Sequence, residues 1–235
     1  MLMVEIQGEL ARLGDTRQAA ILQRFFKTGP GEYGEGDRFR GIRVPVLRKL
    51  TRKYRQLPLA EAVELLRSAF HEDRLLALFV LMDHYYQGED AVRSRIHHLY
   101  LEHTTFVNNW DLVDASAPHL VGHYLRERDK SLLSRLAVSP VLWERRIAIM
   151  ATFAFIKEGN FDETLRIARL LLGDSEDLIH KAVGWMLREV GKREMTLAET
   201  FLLAHYRKMP RTMLRYAIEK FPETKRQAYL KGTLT

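Results

Sequence analysis

The 235-residue chain has no cysteine. That excludes a disulfide framework, a Cys-bound zinc site and a thiol nucleophile. No apolar run reaches the roughly 18–20 residues that span a bilayer, so no transmembrane helix and no membrane partner are expected. The first residues, MLMVEIQGEL, lack a basic segment followed by an apolar one, so no signal peptide is predicted and a cytoplasmic location is expected. Sustained apolar/polar alternation and Asn-Gly turns are missing, which argues against a sheet protein. The phosphate-loop pattern G-x-x-x-x-G-K-[ST], the hydrolase pattern G-x-S-x-G and the zinc pattern H-E-x-x-H are missing too. His119 and His123 are four residues apart, but no third ligand accompanies them. Neither a metal nor a cofactor is predicted.

What is present is helical pattern and positive charge. Lys and Arg number 37 against 30 Asp and Glu, a net charge of +7 and a pI near 9.6. An excess of this sign makes an anionic partner plausible, nucleic acid first. The charge is uneven. Residues 1–128 carry 18 basic and 17 acidic side chains, whereas residues 129–235 carry 19 and 13. The run RFRGIRVPVLRKLTRKYR at 38–55 holds eight basic residues and no acid. Two readings are open for it: a solvated helix face paired with acids elsewhere, or a surface for phosphates.

Apolar residues recur at spacings of three and four from the start: Val4, Ile6, Leu10, Leu13, then Ala19, Leu22, Phe25, Phe26. TGPGEYGEGDRFRGIR at 28–43, with five glycines and a proline, interrupts them. Loops this long inside a domain are often functional. A helix is predicted to restart near Pro45. Further helices are predicted near 58–70, 72–87, 89–103, 109–127, 129–138, 140–157, 160–172, 175–191, 195–207, 210–221 and 222–231. LLALFVLM at 75–82 is apolar all round and suits a central buried helix. The first helix of each successive pair falls roughly 31–40 residues after the last, the range of HEAT-type helical hairpins. No linker is visible, so a single domain over 1–235 is predicted.

Three segments break the simple amphipathic rule. In NNWDLVDASAP (108–118), Trp110 and Asp114 share a helix face, though Trp110 alone also suits a core and Asp114 a helix N-cap. In LWERRIAIM (142–150), Arg146 lies in the apolar stripe of Leu142, Met150 and Phe153. A guanidinium there needs a carboxylate or a polar cavity. Arg145 points elsewhere and suits the surface or a phosphate. In SEDLIHKAVGWMLREVGK (175–192), the core stripe is Ile179, Val183, Met186 and Val190. Trp185 lies off it, in a row with Lys181, Arg188 and Lys192. That row suits base or sugar contacts with phosphates held by the cations, or a Trp covered by a neighbouring helix.

These segments together resemble the AlkD-type DNA glycosylases of the DNA alkylation repair group. The resemblance rests on NNWDLVD, LWERRIAIM, HKAVGWMLREV at 180–190 and GIRVP at 41–45. It implies an all-α fold, a right-handed superhelical stack of HEAT-like repeats (an α-solenoid) with a concave DNA-binding face. It implies a monofunctional glycosylase that releases cationic N3- and N7-alkylpurines from duplex DNA, monomeric and cofactor-free, without a base-flipping pocket. The family's aspartate at the glycosidic bond falls on Asp114, the tryptophan before it on Trp110, its cleft arginine on Arg146 and its sugar-packing tryptophan on Trp185. A DNA-contacting tyrosine falls on Tyr33, in a loop that departs from better-known members. Arg38, Arg40, Arg43, Arg48, Lys49, Arg145, Lys181, Arg188 and Lys192 are the expected DNA contacts. Two other functions compete: a HEAT-repeat scaffold that binds DNA without catalysis, and a protein-interaction solenoid.

Overall fold

The computed structural model describes residues 2–233. Every regular element among them is helical, apart from one isolated bridge between Arg38 and Phe70. The chain forms two compact units, Met1–Ser116 and Ala117–Thr235.

The first unit holds α1 (Leu2–Leu13), α2 (Thr16–Phe25), α3 (Val44–Lys53), α4 (Leu59–Leu66), α5 (His71–Gln87), α6 (Asp90–Glu102) and, at its end, α7 (Trp110–Ala117). Local chemistry explains the starts. The Asp15 carboxylate accepts the N–H groups of Arg17 (2.9 Å) and Gln18 (3.0 Å) and caps α2. Pro45 sits in the first turn of α3, where its missing N–H costs nothing. α5 is the central helix: every residue from His71 to Leu81 is buried, and α3, α4 and α6 pack against it. The glycine-rich loop is tied down by the start of α5. The Glu72 carboxylate accepts three backbone N–H groups, from Arg40 (2.8 Å), Gly41 (2.8 Å) and Ile42 (3.1 Å). Gly41 has φ +85°, and a Cβ there would lie 2.7 Å from the Ala19 nitrogen, so only glycine lets the loop pass α2.

The second unit opens on a π-helical turn (Pro118–Gly122). It continues through α8 (Ser131–Ala137), α9 (Leu142–Ala151), α10 (Phe153–Ile156), α11 (Asp162–Leu170), α12 (Asp177–Gly191), α13 (Met195–His205), α14 (Arg211–Ala217) and α15 (Glu223–Lys231). The helix expected over 109–127 is cut at Pro118, which lacks an N–H and crowds the preceding turn. The one expected over 140–157 divides at Thr152, whose hydroxyl donates to the Ile149 carbonyl at 2.7 Å. α12 is the spine, packed against α9, α11, α13 and α14. Its predicted stripe of Ile179, Val183, Met186 and Val190 is fully buried. Gly184 lets α12 and α14 approach closely: a Cβ there would lie 2.5 Å from the Met213 carbonyl oxygen and from Tyr216 Cβ.

Two stability outcomes follow from these contacts. Gly184→Ala forces α14 away from α12 and should cost about 1–3 kcal/mol, read by urea unfolding. Glu72→Gln turns an amide N–H toward backbone donors and should cost about 1–3 kcal/mol in the same assay. A wild-type midpoint in either variant contradicts the packing described.

Candidate active site

α7 carries Trp110 and Asp114 one turn apart, and its first turn is unusually well anchored. The buried Asn109 side chain accepts the Trp110 N–H at 2.8 Å, and Asp111 accepts the Leu112 N–H at 2.9 Å. The half-buried Trp110 ring stacks on Phe26 with centroids 5.3 Å apart, and Phe26 stacks on Phe39 at 5.1 Å. The end of α2, the glycine-rich loop and α7 thus meet in one aromatic cluster with Ala19 and Leu22. Phe25, 61% exposed, sets its edge against Trp110 at 6.1 Å.

Beneath the stack lies a buried polar network. The His71 imidazole donates Nδ1–H to Asp37 Oδ2 (3.1 Å) and Nε2–H to Asp111 Oδ2 (2.8 Å). Asp37 also accepts from Arg74 (2.5 Å), Asn108 (3.1 Å) and Asn109 (3.4 Å). Burial alone would lower the His71 pKa, but the bonds to Asp111 and Asp37 outweigh it and raise it to about 9. Burial would raise the Asp37 pKa, yet the His71 bond and the Arg74 charge hold it below the usual carboxylate value. Because the folded-state pKa of His71 lies above its unfolded value, its contribution to stability is complete below about pH 6.5 and is lost as pH rises through about 9.

Asp114 sits in the middle of α7 rather than at its N-cap, half-buried. Beside it the fully buried Tyr100 hydroxyl lies 3.0 Å from Ser116 Oγ. Burial raises the Tyr100 pKa; the Ser116 bond opposes this, and the Asp114 charge adds to the rise.

The remaining first-unit candidates spread over the loop and α3. Tyr33 is half-buried in the loop. Arg38 is exposed, its guanidinium 4.6 Å from the Phe70 ring centroid. Arg40 forms a two-pronged ion pair with Asp73 (2.6 and 2.9 Å), and Lys53 pairs with Glu9 at 2.6 Å. Arg43, Arg48 and Lys49 are exposed. The basic run therefore divides between its two readings, with Arg40 and Lys53 paired and the outer face of α3 presented to solvent.

In the second unit Arg146 is buried in its apolar stripe, and its Nη1 donates to the Leu178 carbonyl at 2.5 Å. Arg145 donates to Asp174 at 2.6 Å and to the Ser139 and Pro140 carbonyls. Trp185 is half-buried, 6.3 Å from Phe153. Its neighbours are paired within the unit: Lys181 with Asp177 (2.8 Å), Lys192 with Glu189 (2.6 Å) and Arg188 with Glu219. Burial opposes ionisation of Glu189, but bonds from Lys192 and Arg193, with a further one from Trp185, lower its pKa.

Sequence reasoning missed Asp37, His71 and Asp111. The available signals were the polar run HEDR opening a helix with an apolar middle, the acid immediately before a basic run, and the first aspartate of NNWDLVD. Among the described residues no group of three His, Asp or Glu is placed to hold a metal, and no helix is long and apolar enough to cross a membrane.

Comparisons with known proteins bear on the fold and the family. No curated protein sequence matches the chain. A predicted DNA alkylation repair enzyme from Enterococcus faecalis shares the fold, with a TM-score of 0.69 at 17% identity over 89% of this chain and 97% of that one. AlkD2 from Streptococcus mutans superposes with a TM-score of 0.55 at 17% identity over 88% and 99%. The family model described as DNA alkylation repair enzyme matches residues 6–221, nearly the whole chain, and the protein belongs to that family.

Proposed function

We propose that the protein is an alkylpurine DNA glycosylase that hydrolyses the N-glycosidic bond of cationic N3- and N7-alkylated purines in duplex DNA. The observation that carries this reading is the Trp110–Asp114 pair, one turn apart on a helix whose first turn is anchored by Asn109, Asp111 and His71. Membership of a DNA alkylation repair family supports alkylated DNA as the substrate class.

The chemistry needs few groups. Alkylation has already placed positive charge on the purine, so no general acid is required. The C1′–N bond breaks, its electron pair neutralises the base, and positive charge moves onto the sugar. Water then adds to C1′ and releases a proton to solvent, leaving an abasic sugar. Asp114 is assigned to stabilise the oxocarbenium-like sugar and orient that water. One carboxylate suffices, unlike the pair of most glycoside hydrolases. Trp110 is assigned to the cationic nucleoside through its electron-rich ring face, and Trp185, by the family resemblance, to a deoxyribose of the duplex. Arg146, buried and held on the Leu178 carbonyl, is assigned to shape the cleft rather than to touch DNA directly, and the exposed Arg43, Arg48 and Lys49 are assigned to duplex phosphates.

Base release from methylated duplex DNA, separated by chromatography, tests the reaction. Wild type should free 7-methylguanine or 3-methyladenine, and Asp114→Asn should raise the barrier by about 2–4 kcal/mol. DNA binding without release by saturating wild type sinks the reading in favour of a non-catalytic DNA scaffold. Affinity for duplex should also fall about 40-fold between ~50 and 200 mM salt for three phosphate contacts. Salt-independent binding contradicts the phosphate assignments.

A further inference from the structure

The motif that points to catalysis, NNWDLVD, contains a second aspartate that the proposed mechanism does not use. Asp111 lies between Trp110 and Asp114 on α7, and its side chain turns toward the start of α5 rather than along the Trp110–Asp114 face. There it meets a histidine whose other nitrogen meets Asp37 of the glycine-rich loop. We infer that the Asp37–His71–Asp111 bridge is the positioning device of the base-release site, holding the first turn of α7 so that Trp110 and Asp114 keep their aim. This inference rests on the glycosylase reading.

Three observations carry it. First, both imidazole nitrogens face carboxylate oxygens, which only accept hydrogen bonds, so both must carry protons and the ring is a cation. With Arg74 it balances the charges of Asp37 and Asp111, so the buried network is neutral as a whole. Second, the same ring supports Trp110 by a separate route. Phe39 stacks on the imidazole with centroids 4.6 Å apart, Phe26 stacks on Phe39, and Trp110 stacks on Phe26. One side chain thus fixes the helix through a hydrogen bond and the indole through a column of rings. Third, α7 has eight residues, too short to persist without tertiary support.

The network also has a direction. Asp37 keeps Arg74, Asn108 and Asn109 as donors when the imidazole loses a proton, whereas Asp111 is tied to α5 through His71. Deprotonation therefore loosens α7 before it loosens the loop. The charged groups facing the ring are Asp37 from the loop and Asp111 from α7, with Arg74 behind Asp37. Glu72 and Asp73, its neighbours on α5, turn instead to the loop backbone and to Arg40. A site that relied on one carboxylate alone would have a flat alkaline profile. This one should lose activity with the His71 proton, as pH rises through about 9.

The test joins kinetics to nuclear magnetic resonance on the full chain. Single-turnover release of 7-methylguanine is followed between about pH 7 and 10, and the His71 imidazole and the Trp110 indole N–H resonances are followed over the same range. In wild type the rate constant and the Trp110 resonance should both change with the His71 midpoint, while affinity for DNA stays level. Asp111→Asn removes one carboxylate from the ring. It should move that midpoint down and slow release about 10- to 100-fold with unchanged DNA affinity, the effect of a small displacement of reacting groups. His71→Gln should fold with a slow, pH-independent rate. Release by Asp111→Asn at the wild-type rate, or a flat wild-type profile through the His71 titration, overturns the inference. If wild type releases no base at all, the glycosylase reading fails and the resonances decide the positioning role. A Trp110 signal that follows the His71 midpoint upholds it, and one that ignores the midpoint overturns it.

Discussion

A protonated histidine between two carboxylates is the constraint on which the first unit depends. His71 opens the central helix, Asp37 belongs to the glycine-rich loop and Asp111 to the first turn of α7. Removing one member of a buried charged network costs far more than the network is worth as a whole, because the partners are left desolvated and uncompensated. The loop, which has little regular structure, and α7, a helix of only eight residues, are therefore ordered by the start of α5. Glu72 and Asp73, the next two residues, extend the same anchoring to the loop backbone and to Arg40. Four consecutive polar residues at the head of a helix with an apolar middle thus organise the site region.

Charge has two kinds of work in this protein. Inside, it is balanced residue by residue, as in Arg74 with Asp37 and Arg145 with Asp174. Outside, the surplus is left on surfaces such as α3, where Leu47 and Leu50 face inward and Arg48 and Lys49 face solvent. The net charge of +7 is consequently a poor guide to which cations meet DNA. Arg40, Lys181, Arg188 and Lys192 are all engaged by acids of their own unit. Any phosphate contact they make competes with those partners, so Arg43, Arg48 and Lys49 are the less encumbered candidates.

The helical architecture was legible because periodicity reports burial directly. The stripe of α12, the all-round apolar middle of α5 (75–82) and the embedded Arg146 were each readable from spacing. A helix start was legible at Pro45, where the residue enforces it, and helix ends were less so where a helix changes type without stopping, as at Pro118 and Thr152. Trp110 and Asp114 were readable because they break the amphipathic rule on one face. The network under them was not: Asp37, His71 and Asp111 are separated by 34 and 40 residues, and nothing in local pattern couples them. Likewise the sequence showed where cations lie but not which acids engage them, since ion pairs such as Arg188–Glu219 join residues 31 apart.

The proposed glycosylase breaks one bond, between C1′ and the alkylated base, and leaves the DNA backbone whole. Mass spectrometry of a defined duplex carrying a single 7-methylguanine reads that claim directly. The predicted product is a full-length strand that has lost 7-methylguanine and gained the elements of water at that sugar. A strand of unchanged mass after incubation with saturating protein, or one cut in its backbone, contradicts the account.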